Sequence, residues 1–429
     1  MSLSCFDFAE GKAQLTLEEA QQALLETATE ITPAQERPLQ ESLGLHLAEA
    51  IRAPLPVPQN TNSAMDGYAL RGSELGQHSA WKLAGECLAG QGYDQPLQAG
   101  ECVYITTGAP LPEGADTVIM LEQAQLKGDQ VSFQLGDKPL QTGSNVRLAG
   151  EDIQQDQPVM AAGQLLGSVQ LGLLASLGLS RIQVHQPLKV AIFSTGDEVT
   201  APGLPLHKAG IYDANRFSLL GLLKGLGCQI TDLGILPDDL NAITQALRTA
   251  AQDHQLVLTS GGVSVGDADF VKQALHQLGE TRFWRLALRP GRPFAFGHLG
   301  QNRQGQTCLF AGLPGNPVAV MVIFMLLVQP LIRKLQGGHQ NLANTWIALA
   351  EEPMKSRRGR SDFHRGIYTF NSQGQLTVTS TGAQGSGILT SMHLANCLIR
   401  IRDDQAEVAV GQPVAIYPFH LWLPEQRCL

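Results

Sequence analysis

The sequence predicts a multidomain protein of α/β and β units arranged around a doubly wound α/β domain, and three observations carry that expectation. Between residues 188 and 328, short apolar runs alternate with helical stretches, the pattern of a largely parallel sheet covered on both faces. One of those runs, residues 256–260, passes through TSGGVSVGDAD into a helix expected at residues 270–278, so hydroxyls, bare amides and carboxylates meet at the end of a strand. The flanking stretches change instead to short alternating strands punctuated by Gly and Pro, as in small all-β domains. At 429 residues the chain exceeds one ordinary core and suits three or four domains.

Composition narrows the function classes. Hydrophobic residues make up 43% and charged residues 16%, as in a soluble globular protein. A net charge of −9 argues against nucleic acid as a partner, and it requires that any anionic ligand find a locally basic site. The longest apolar run, residues 318–328, has 11 residues, too few to span a bilayer, so no membrane association is expected. Asp7 and Glu10 with no basic n-region do not read as a signal peptide. Seven scattered cysteines without a CxxC pair point to reduced thiols, a cytoplasmic location and no structural zinc.

The elements follow in order. Residues 15–50 read as helical, opened by a capping box of Thr16 and Glu19. A Pro-rich boundary at residues 53–58 begins a β insert that runs to residue 151, and residues 163–181 return to helix. The predicted partition is therefore a discontinuous helical and strand domain (15–52 and 152–184), an inserted β domain (53–151), an α/β domain (185–338) and a β-rich tail (339–429). Within the α/β domain, LKVAIFS is a buried strand, residues 217–226 an apolar helix, QITDLGIL a strand and residues 240–251 a helix.

Polar strand ends supply the candidate chemistry. Glu198 in FSTGDEV, Asp213 and Asn215 in GIYDANR, Asp238 and Asp239 in LPDD, and Asp267 and Asp269 gather carboxylates along one sheet edge. Each alone is a turn or a helix cap; together they are hard oxygen ligands of the kind Mg²⁺ takes alongside phosphate. Ser260, Gly261, Gly262 and Ser264 offer hydroxyls and amides to an anion, and no Lys-Ser or Lys-Thr follows, which excludes a Walker A loop. In FWRLALRPGRPFAF, Arg285 and Arg289 share a strand face and a Pro-Gly turn brings Arg292 near. These guanidinium groups either bind an oxyanion or pair with neighbouring carboxylates. In LPGNP, Asn316 and Pro317 start a helix, whose free amides beside Pro314 and Gly315 can also hold an anion. Asp66, Thr107, Arg147, Asp152, Arg360 and Ser386 lie in polar loops that, read singly, are connections or solvated surface.

In this order, SAMDGYA, TTGAPLP, NVRLAGED, FSTGDE, TSGGVSVGDAD, RPGRPFAFG and GLPGNP resemble the molybdopterin molybdenumtransferase family, which includes the E domain of gephyrin. The likeness runs from about residue 15 to residue 420. It implies an elongated helical and strand domain with the β insert, a molybdopterin-binding α/β domain and a C-terminal β-barrel. It implies molybdenum insertion into adenylylated molybdopterin, giving molybdenum cofactor and AMP, with Mg²⁺ as cofactor and molybdate as substrate. Carried over by motif, the catalytic positions are Asp66, Thr107, Arg147, Asp152, Glu198, Asp238 and Asp269, of which Glu198, Asp238 and Asp269 hold the metal. Ser260, Gly261, Gly262, Ser264, Arg285, Arg289, Arg292, Pro314, Gly315, Asn316, Pro317, Arg360 and Ser386 bind the substrate and anion. Many family members carry Lys where this chain has Arg285, Arg289 and Arg292, and the choice between Asp238 and Asp239 stays open. A homodimer, hand-over from a molybdopterin adenylyltransferase and delivery to cofactor acceptor proteins are implied as well. The alternatives are an adenylyltransferase, against which the long amino-terminal extension and β-rich tail argue, and a non-catalytic gephyrin-like scaffold.

Overall fold

The computed structural model describes residues 14–29, 31–135, 140–262, 270–339 and 345–423. The Thr16 hydroxyl accepts from Glu19 N and the Glu19 carboxylate accepts from Thr16 N, closing the capping box on helix Leu17–Thr27. The helix stops there, so the helical expectation for residues 15–50 is corrected. Pro33 and Pro38 deny the backbone donors a longer helix needs, and strand Ala34–Pro38 instead pairs antiparallel with Arg181–His185. The second expected helix shrinks likewise to Ser168–Ser176, because residues 181–185 belong to that ribbon.

The insert forms a six-stranded mixed sheet. Strand Gly67–Leu70 sits between Glu101–Ile105 and Thr117–Met120, and small cores pack on each face, around Val103 and Val118 on one side and Trp81 and Ile119 on the other.

The α/β unit positions the chemistry. Its sheet runs in the order Gln229–Leu236, Lys189–Thr195, Leu256–Ser260, Thr307–Leu313, Pro293–Gln301, Thr281–Arg285. The first four strands are parallel and the last two antiparallel. Side-chain alternation splits each central strand between two cores. Val190, Ile192, Leu256 and Leu258 face helices Ala214–Gly225 and 317–335, while Ala191, Phe193 and Val257 face helices Leu240–Asp253 and Phe270–Leu278. That is the doubly wound arrangement. Strand order reverses between Lys189–Thr195 and Leu256–Ser260, and ligands of open α/β sheets bind outside the carboxyl ends at such a switch point.

Helix 317–335 is apolar and, at 19 residues, long enough to cross a membrane by length and composition, which the 11-residue apolar run does not suggest. Its most apolar window is 89% buried, and it forms the spine of the core with Leu17, Ala20 and Leu24 of the amino-terminal helix against it. The tail closes into a five-stranded barrel. Ser361–Phe370, Leu376–Ser380, Trp346–Ala350, Pro413–Pro418 and Cys397–Ile401 pair in turn, and the last pairs back to the first. Strand Leu288–Arg289 leaves the α/β unit to pair with Ser361 and Asp362, stitching the arginine turn onto the barrel.

Candidate active site

The sheet's carboxyl ends, the arginine turn and the barrel enclose a cleft of about 850 Å³. Its walls include Glu198, Gly261, Gly262, Arg289, Arg292, Pro314, Gly315, Asn316, Arg360 and Ser386. A smaller cavity of about 280 Å³ shares Glu198, Gly261 and Gly315 and adds Ser194, Thr195, Asn215, Ser260 and Pro317.

Local backbone chemistry sets these groups. Gly262 has φ +65°, and a Cβ there would meet Val271 at 2.4 Å, so only glycine lets the turn pass beneath the helix that follows. Gly196 has φ +132°, and a Cβ would lie 2.6 Å from the Glu198 carboxylate, which the missing side chain allows to fold over the strand end. Asn316 and Pro317 do start helix Pro317–Ile323, with Asn316 at the N-cap position, but its side chain makes no capping bond. Instead the Ser386 carbonyl accepts from Val318 N at 3.1 Å, tying the barrel loop to the helix start.

The adjacent aspartates separate. Asp239 caps helix Leu240–Asp253, accepting from Ala242 N at 2.7 Å, whereas Asp238 accepts from the Thr195 hydroxyl at the end of the neighbouring strand. Asp213 is also a cap, holding Arg216 N and the Ser194 hydroxyl, each at 3.1 Å. Ser264, Asp267 and Asp269 lie outside the described residues.

The arginines divide as well. Arg289 and Arg292 line the cleft, but Arg285 ends the edge strand Thr281–Arg285 and is not part of its lining. The expected shared strand face fails because the chain leaves the sheet between them, with Leu286 and Ala287 hydrogen bonded to Arg292 and Leu15. The cation that joins Arg289 and Arg292 is Arg360 from the barrel. Between Arg289 and Arg360 sits Asp362, fully buried, 3.5 Å from Arg289 Nη1 and 2.9 Å from Arg360 Nε. Thus the ion-pair reading of the arginine turn holds for Arg289, whose partner Asp362 also pairs with Arg360 of the barrel.

Asp362 and Arg365 are residues that sequence reasoning missed. Arg365 is 1% exposed and donates to the Gly385 carbonyl at 3.2 Å and the Ser391 hydroxyl at 3.0 Å, supporting the loop that carries Ser386. Burial, then the neighbouring Arg289 charge, pulls its pKa down to about 10. The only signal in GRSDFHR is strand alternation, which does not distinguish a buried charge from a solvated one.

The remaining candidates form a second group, in the insert and its return. Asp66 Oδ1 accepts from Thr107 N at 2.7 Å and Thr107 Oγ1 at 2.8 Å. The backbone bond first, then the hydroxyl, holds the Asp66 carboxyl below its ordinary range. Arg147 is exposed beside Asn62 in a two-residue ribbon, and Asp152 N donates to the Val57 carbonyl. None of the four lines the cleft.

For a metal, no group of three His, Cys, Asp or Glu side chains among the described residues is arranged to hold one. The Glu198 carboxylate is exposed and makes no hydrogen bond among the described residues, and Asp238 keeps one hydroxyl partner. Glu198, which lines the cleft, and Asp238, bonded to Thr195 of the adjoining smaller cavity, are hard carboxylates that fit Mg²⁺, which takes one or two carboxylates and completes its shell with phosphate oxygens and water.

Fold and cleft together define a multidomain α/β protein whose strand ends, arginines and barrel suit an anionic ligand. Family models match along the chain: the MoeA N-terminal region (domain I and II) at residues 15–178, a probable molybdopterin binding domain at 191–334 and the MoeA C-terminal region (domain IV) at 348–419. The molybdopterin molybdenumtransferase of Haemophilus influenzae is 43% identical, covering 95% of this chain and 99% of that protein. The Nostoc molybdopterin molybdenumtransferase is 32% identical over 87% of this chain and 86% of its own. The molybdopterin biosynthesis MoeA protein structure from Pyrococcus horikoshii superposes with a TM-score of 0.79 at 27% identity, covering 94% of this chain and 99% of that one. The chain belongs to the molybdopterin molybdenumtransferase family.

Proposed function

We propose that this chain is a transferase that inserts molybdenum from molybdate into adenylylated molybdopterin, releasing AMP. The observation that carries the reading is the convergence in one cleft of strand-end amides, a free carboxylate and three arginines from two units. The substrate joins a pyrophosphate to a pterin dithiolene, so its charge must be offset before a bond breaks. Backbone amides at Gly261, Gly262, Gly315 and Asn316 would bind phosphate oxygens, as amides at strand and helix ends do. Arg289, Arg292 and Arg360 would hold molybdate and the transferring oxyanion, with Asp362 orienting two of them. Glu198 and Asp238, with Asp269, would hold Mg²⁺, which would supply charge neutralisation on the leaving phosphate. An oxygen of molybdate, rather than a protein nucleophile, would attack the adenylyl phosphorus, breaking the P–O–P bridge so that the pterin phosphate leaves; the dithiolene sulfurs would then bind molybdenum and displace AMP, which carries away that oxygen. No Ser-His-Asp or Cys-His set is read in the sequence.

Asp66, Thr107, Arg147 and Asp152 stand outside the cleft, and this supports a homodimer in which the insert of one subunit completes the site of its partner. Hand-over from a molybdopterin adenylyltransferase, delivery to acceptor proteins and a reducing cytoplasmic setting, in keeping with the buried thiols, belong to the same proposal. The test is the release of AMP from adenylylated molybdopterin in Mg²⁺, which should slow strongly when molybdate is omitted. ATP turnover with free molybdopterin, and AMP release indifferent to molybdate, would overturn the reading in favour of an adenylyltransferase. Neither reaction would leave the scaffold.

A further inference from the structure

We infer that Asn215 is a positioning residue that braces the two amide-bearing turns of the cleft against each other; this rests on the anion-binding reading above. Asn215 lies in the first turn of helix Ala214–Gly225, whose start is itself anchored. Asp213, 4% exposed, accepts from Ser194 of one strand, and Arg216, 8% exposed, donates to Asp213 at 2.8 Å and to Asp232 of the edge strand. Asp213 and Arg216 are buried and paired, and through Ser194 and the exposed Asp232 they hold the helix start to the strands Lys189–Thr195 and Gln229–Leu236.

From that fixed point the Asn215 side chain reaches the other two parallel strands. Its Nδ2 donates to the Ser260 hydroxyl at 2.7 Å and to the Gly315 carbonyl at 2.7 Å. The Gly315 carbonyl can only accept, which fixes the amide nitrogen toward the turns. Ser260 and Leu313 are register partners, and the Gly261 N–H to Leu313 carbonyl bond at 3.1 Å is, among the described residues, the last backbone tie between the two turns. Beyond it the cleft wall includes Gly261, Gly262 and Gly315, which have no side chains to pack, beside Pro314 and Asn316. One amide therefore spans both turns where backbone pairing ends. The Oδ1 of Asn215 makes no hydrogen bond among the described residues, and the side chain lines the smaller cavity. Asn215 thus sets the spacing of amides that must meet phosphate oxygens together.

Asn215→Ala and Asn215→Asp test this. The second keeps the shape but replaces the donor with a carboxylate oxygen facing the Gly315 carbonyl, so it separates the hydrogen bonds from packing. Amide hydrogen exchange of the free protein should quicken at Gly261, Gly262, Gly315 and Asn316 by roughly tenfold or more in both variants, the scale of one lost hydrogen bond. Exchange in helix Leu240–Asp253 should stay unchanged, which shows that the fold is intact. AMP affinity, measured by calorimetry, should fall by a similar factor. An Asn215→Asp protein whose turns exchange like wild type overturns the inference, whatever the protein binds. Wild-type protein that fails to bind AMP would instead count against the functional reading, and the exchange data would still decide the brace.

Discussion

Replacing Arg289 by alanine should weaken anion binding in the cleft, while the same change at Arg285 should not. Arg289 lines the cleft, is 47% exposed and meets its carboxylate partner Asp362 at 3.5 Å, longer than a tight ion pair, so its charge is largely available to a ligand. A charge-assisted hydrogen bond contributes about 1.5–3 kcal/mol. Half-exposure screens it, so the lower part of that range applies, about 1.5–2 kcal/mol, or roughly 10- to 30-fold in Kd. Arg285 ends the edge strand outside the cleft, and its removal should change affinity by about twofold or less, as for an ordinary surface substitution. Calorimetric titration of AMP, and separately of molybdate, at low and high salt measures both, and the Arg289 effect should shrink as salt rises. The reasoning fails if Arg285→Ala costs as much as Arg289→Ala, or if Arg289→Ala binds normally at low salt.

Three further outcomes are expected. Thr107→Ala should raise the Asp66 pKa only part of the way, because the larger backbone bond remains; carbon-13 titration of the carboxyl would show it. Since the folded pKa of Asp66 is depressed, its stabilisation is present above the unfolded carboxylate pKa and is lost as pH falls through the folded value; an unmoved pKa in the variant would contradict the assignment. Gly196→Ala should abolish Mg²⁺-dependent turnover while costing about 1–3 kcal/mol in stability, since φ +132° is strained for alanine and its methyl displaces Glu198; an active variant would show that this carboxylate position is dispensable. Burial pushes the thiols of Cys102, Cys228, Cys308 and Cys397 up to about 12, so these four should resist a thiol reagent at pH 8 until the protein unfolds; rapid labelling of any of them in the native state would refute this.

Much of the local structure was legible in the sequence, because it depends on neighbours along the chain. The Thr16–Glu19 box needs residues three apart, and the strand runs around residues 190 and 257 carry their burial in their own composition. The turn glycines announced themselves through the same local logic. The overlong helices at residues 15–50 and 163–181 went wrong for a nonlocal reason, the pairing of Ala34–Pro38 with Arg181–His185 across most of two domains. The site divides along the same line. Glu198, Ser260 and the LPGNP turn could be put at strand ends from alternation alone. Only the tertiary structure seats Arg360 and Ser386 opposite them, because Leu288–Arg289 pairs with the barrel strand beginning at Ser361. It also makes Asp239 a cap while Asp238 faces Thr195, sends Arg285 away from Arg289 and buries Asp362 between two arginines. Periodicity specifies which way a side chain points from its own element; which charge it meets depends on elements tens to hundreds of residues away, and that encounter exists only once the sheet and the barrel have closed around it.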